Sequence, residues 1–208
     1  MNTIYLKVID LIKCGINLLT KRQTLPYTMP RIGLELDKDI NPLTELPGKI
    51  LLQQELNMRT EKMQKFSIIH VRLCKKKYDC ASANHIIIFT SKVLSNVVDK
   101  YGGEKDFIAH IMGDVFIIIT QKKRADSLCK LFIRHFDNLI RPTCKQLEPR
   151  IKRNKIDLPN RYPFISMAII DVREGEKPYI GNITSRAERL SYYKRSNHGS
   201  IFIHEPKL

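Results

Sequence analysis

The chain has 208 residues, and 43% of them are hydrophobic, enough for a buried core, which excludes disorder throughout. Its formal net charge is +15, which suits polyanionic partners but is equally met by a lysine-rich solvated surface. Five cysteines (Cys14, Cys74, Cys80, Cys129, Cys144) show no Cys-x-x-Cys spacing, so neither a disulfide framework nor a zinc ribbon is expected, and reduced thiols in a cytoplasmic protein are the simplest account.

Ile4, Val8, Leu11, Ile12, Ile16 and Leu19 fall on one helical stripe. Lys7, Asp10 and Lys13 interrupt the run, so it reads as neither a membrane span nor a signal peptide. It reads as an amphipathic helix that packs on the domain, on a second subunit or on a membrane surface. Residues 20–40 carry Pro26, Pro30 and Gly33 and read as a linker, giving a division into 1–40 and 41–208. A helix is expected from Ile50 to Met63, a strand from Phe66 to Leu73 and a helix from His85 to Lys100.

From Phe107 to Thr120 two apolar runs flank Gly113-Asp114. A two-residue turn that opens with glycine between strand-like runs predicts a tight hairpin with one carboxylate at its tip. Arg124 to Leu139 reads as a helix, with Leu128, Leu131, Phe132 and Phe136 on one face. Residues 141–162 are crowded with Arg and Lys, including Arg150, Lys152 and Arg153, and read as a long basic loop. A strand from Phe164 to Val172, a helix from Ile183 to Ser196 and a strand from Ser200 to His204 complete the chain. From Phe66 onward this is an α+β, ferredoxin-like βαββαβ core with an added helix and strand, the plan of nucleotide-cyclase and polymerase palms. No Walker-type glycine loop or catalytic serine motif is present.

Several pieces together resemble the GGDEF family, the diguanylate cyclases. They are Leu43-Thr44-x-Leu46-Pro47, the run Asp106-Phe107 with Ala109 to Phe116, Ile165 to Ile169, and Ala187 to Lys194. The resemblance implies a palm in which two divalent metals bind the triphosphate of GTP and activate the attacking hydroxyl. It assigns one metal carboxylate to the position of His70 and places Arg72 at a second acidic position. A cation there repels a metal by roughly 1–4 kcal/mol at about 4 Å.

The signature hairpin reads Met112-Gly113-Asp114-Val115-Phe116. Asp114 keeps a family metal-ligand position. Val115 replaces an essential glutamate, and Met112 replaces a glycine where the nucleotide approaches the backbone. Tyr78 and Ile87 stand at the guanine-reading positions, while Lys75 and Lys194 match phosphate-binding lysines. The product-inhibition motif, Arg-x-x-Asp in the family, retains Asp106 but has Gly103 in place of arginine.

The resulting expectation is a catalytically inactive GGDEF-like domain with a regulatory or scaffolding role, needing no cofactor. Its expected partner is a signalling protein or a second copy engaged through the N-terminal helix. The alternatives are a sensor holding GTP with Mg²⁺ or Mn²⁺ on Asp114, Lys75 and Lys194, and a nucleic-acid adaptor using the basic loop. Nucleic acid is the less expected of these ligands, because no aromatic interleaving supports base stacking.

Overall fold

The computed structural model describes residues 39–62, 64–74, 80–147, 162–193 and 199–206. The N-terminal stripe, Lys75, Tyr78, Lys194 and the basic run 148–161 lie outside the described residues. In chain order the elements are α1 (Lys49–Glu61), β1 (Ser67–Cys74), α2 (Cys80–Tyr101), β2 (Phe107–Met112), β3 (Val115–Thr120), α3 (Lys122–Leu147), β4 (Phe164–Asp171), α4 (Ile180–Tyr193) and β5 (Ile201–His204).

The five strands form one sheet in the order β2-β3-β1-β4-β5. β1 runs antiparallel to both neighbours, and β5 lies parallel to β4 after the α4 crossover. The central β1 and β3 read Ser-Ile-Ile-His-Val-Arg-Leu-Cys and Val-Phe-Ile-Ile-Ile-Thr. Such β-branched runs suit strands covered on both faces.

Helices cover both. On one face α2 and α3 set Phe89, Val93, Leu94, Phe132 and Phe136 against Ile69, Val71, Phe116 and Met167. On the other, α1 and α4 set Leu52, Leu56, Ile183 and Ala187 against Ile68, Ile117, Ile119 and Ala168. The expected α+β plan, with its extra helix and strand, is therefore present.

Three boundaries differ from expectation by more than two residues. α2 begins at Cys80, five residues before His85. Residues 141–147 are not loop: α3 continues through Pro142 to Leu147. The buried series Phe136, Ile140 and Cys144 keeps one face of the helix on the core beyond the proline, and that burial outweighs the lost backbone hydrogen bond. α4 begins at Ile180 rather than Ile183, because the Ile180 N–H donates to Gln53 Oε1 on α1 (3.3 Å). A side chain distant in sequence thus supplies a partner to the exposed first turn.

Candidate functional site

The hairpin turn forms as its residues dictate. Gly113 has φ 42, the left-handed region that glycine occupies without steric cost, and Asp114 follows it at the tip. The register shifts between His110 and Met112, and Met112 faces Val115 at the closing pair. The Leu73 N–H donates to the Asp114 carbonyl (2.8 Å), so the end of β1 is fastened to the turn.

Strand register then decides what shares the α1/α4 face. Arg72 lies directly opposite Val115, and His70 opposite Ile117. Alternation along β1 puts His70 and Arg72 on the same side as Ile68. Val115 is buried, whereas Arg72 reaches Glu188 on α4 at 3.1 Å. His70 is buried between Ile117 and Ala168, the residues opposite it on the two flanking strands. Burial, reinforced by the Arg72 charge, lowers its pKa to about 4, so the ring is neutral at pH 7. Its Nε2 has no hydrogen-bond partner among the described residues. Burial raises the Cys74 thiol pKa; Arg72 opposes that shift and Asp114 adds to it.

Beside the hairpin tip the described groups are therefore a neutral imidazole, a guanidinium engaged by Glu188, a valine, the partly buried Asp114 carboxylate and the exposed Met112. This is not the oxygen-rich set that Mg²⁺ or Mn²⁺ takes. Among the described residues no three His, Cys, Asp or Glu side chains form a group able to hold a metal ion.

The outer edge of the hairpin, strand β2, is fastened to the Asn41–Pro47 segment. The His110 N–H donates to the Pro47 carbonyl (2.9 Å), and the His110 ring stacks on Phe116 with centroids 4.4 Å apart. The Asn41 side chain accepts the N–H groups of Leu43 (3.0 Å) and Thr44 (3.2 Å), folding the segment into a turn that buries Leu46.

Gly103 and Asp106 lie just before β2. Asp106 Oδ2 accepts the Gly103 N–H (3.0 Å) and the Thr120 hydroxyl (2.9 Å). Asp106 Oδ1 lies 4.0 Å from the Arg124 guanidinium, which covers Gly103 so closely that a Cβ there would collide with it. Nothing in the sequence marks Arg124 or Glu188 as a neighbour of these positions. Both meet their partners through the tertiary fold, and no local spacing announces either contact.

No family model and no curated protein matches the sequence. Solved structures do match. The diguanylate cyclase SiaD of Pseudomonas aeruginosa, solved in complex with its activator SiaC, superposes with a TM-score of 0.57 at 14% identity. That match covers 82% of this chain and 64% of SiaD. The coiled coil and GGDEF domain of DgcB from Caulobacter crescentus, in complex with c-di-GMP, gives a TM-score of 0.56 at 14% identity, over 81% of this chain and 87% of that one. The fold is that of GGDEF domains. A diguanylate cyclase/phosphodiesterase from Caldicellulosiruptor saccharolyticus matches likewise, with a TM-score of 0.54 at 16% identity, over 83% and 97% of the two chains. At such identities the likeness is one of fold. Within the GGDEF fold the β2–β3 turn of this chain carries Met112 to Phe116. Among the described residues no helix is long and apolar enough to cross a membrane.

Proposed function

We propose that this domain keeps the GGDEF fold without diguanylate cyclase chemistry and acts as a regulatory or scaffolding element in signalling that uses cyclic di-GMP. The observation that carries this reading is the cross-strand pair Arg72–Val115, with the buried neutral His70 two residues along the same strand face. The family resemblance puts carboxylates where these three side chains stand, and a metal-assisted attack on a triphosphate depends on such ligands. The Arg72 charge adds repulsion toward any divalent cation brought to Asp114. Losing several members of one catalytic unit removes the rate together rather than in additive steps. The complex of SiaD with its activator SiaC is a precedent for a protein of this fold with a protein partner.

The test is incubation of the purified full chain with GTP and either Mg²⁺ or Mn²⁺, with chromatographic detection of cyclic di-GMP. No product above a blank is expected. Product formation that disappears in Asp114→Ala would overturn the proposal.

A further inference from the structure

A groove runs between one face of α1 and the segment leading into α4. Its lining includes Lys49, Ile50, Gln54, Asn57 and Tyr179, and its volume is about 290 Å³. Ile50 and Tyr179 are large apolar side chains left 59% and 55% exposed. The groove floor is fixed. The Gln53 amide donates to the Pro178 carbonyl (3.2 Å) and accepts the Ile180 N–H (3.3 Å), locking the two walls together. An apolar groove with preset walls takes apolar side chains at low entropic cost.

We propose that this groove seats the N-terminal stripe of the same chain, Ile4–Leu19. Two observations select that occupant. The described residues begin at Asp39, whose carboxylate accepts the Leu51 N–H (2.7 Å) and whose backbone lies against Gly48. The chain at Asp39 therefore lies within one turn of Ile50, at the end of the helix that forms one wall. Second, Ile4, Val8, Leu11, Ile12, Ile16 and Leu19 form an apolar stripe that needs a cover of this character.

Residues 20–38 join the two and reach no farther than about 65 Å when fully extended. A segment tethered this way meets the groove at an effective concentration on the order of millimolar, which favours its own domain over a second copy at micromolar protein. The groove takes a few side chains, with Ile50 and Tyr179 packing along the stripe.

The native Cys14 flanks the stripe and supplies the test. In the 208-residue chain Gln54→Cys places a thiol on the exposed wall. A short bis-maleimide should then join positions 14 and 54 within one chain. The cross-linked peptide should appear at monomer mass, several-fold above the Cys14 cross-link to a control thiol placed instead by Lys130→Cys, at an exposed position of α3 across the sheet. Adding Ile50→Asp, a change at an exposed position, should return it to the control level. Cross-linking mainly at dimer mass would overturn the proposal in favour of a second copy. No cross-link above the control would overturn it in favour of a different occupant or none. Neither result bears on whether the domain makes cyclic di-GMP.

Discussion

The Thr44 hydroxyl and the His110 imidazole lie 3.0 Å apart across 66 residues of chain. His110 Nε2 stands 3.1 Å from the Gly113 carbonyl, which can only accept, so in the neutral ring Nε2 carries the proton and Nδ1 accepts from Thr44. One imidazole thus ties the turn at residues 41–47 to the tip of the hairpin.

Thr44→Val keeps the shape and leaves Nδ1 without this donor. Stability should fall by about 1–2 kcal/mol, the cost of an unmade buried hydrogen bond. Thr44→Ser should retain most of it. Urea unfolding checks both, and a shift in midpoint at constant slope is the expected form. Equal stabilities for Thr44→Val and wild type would show that the contact contributes nothing.

His70 makes stability depend on pH. Its folded pKa of about 4 lies below the ordinary value of 6.5, so below pH 6.5 the unfolded chain takes up the proton more readily. The His70 contribution is therefore flat above that pH and is lost as pH falls from about 6.5 to about 4. The loss by pH 5 is about 2 kcal/mol. His70→Leu removes the titrating group together with its unpartnered nitrogen. The variant should match or exceed wild type at pH 7.5, and its advantage should widen by about 2 kcal/mol at pH 5. Parallel pH profiles from urea titrations would contradict this.

Restoring one acid should not restore chemistry. In Val115→Glu the new carboxylate stands opposite Arg72 and competes with Glu188 for that guanidinium. It also enters a buried position, where a carboxylate left without its partner costs about 3–5 kcal/mol. The expected outcome is a folded or mildly destabilised chain that makes no cyclic di-GMP from GTP and Mn²⁺. A measurable turnover rate in this single variant would show that Arg72 and His70 do not obstruct the site.

What the sequence made legible follows physical range. The hairpin at Met112–Phe116 was readable because turn chemistry is local: glycine precedes the tip residue, and apolar runs flank both. The layered core was readable from periodicity, as in Leu128, Phe132 and Phe136 on α3. The continuation of α3 past Pro142 was not, because the burial of Ile140 and Cys144 is a property of the assembled sheet. Arg124 over Gly103, Glu188 against Arg72 and Gln53 at the start of α4 are contacts between separate elements. They become visible only once strand order and helix faces are known. The chemical identity of His70, Arg72 and Val115 was plain in the sequence, but their burial and mutual register were not.

The start of α1 offers a last test. Gly48, the residue before the helix, supplies no side-chain cap, and Asp39 caps from outside by accepting the Leu51 N–H. Asp39→Ala should lower stability by about 1 kcal/mol, as loss of an ordinary helix cap does. Gly48→Ala should cost more, roughly 1–3 kcal/mol, because its Cβ would sit 2.5 Å from the Asp39 carbonyl oxygen and push that segment away. Displacing the segment also breaks the cap, so the double variant should lose less than the two single losses together. Additive losses would mean that Gly48 and Asp39 act independently. Because Asp39 also fixes where the chain enters beside Ile50, Gly48→Ala should weaken the Cys14 cross-link to Gln54→Cys even where the domain remains folded.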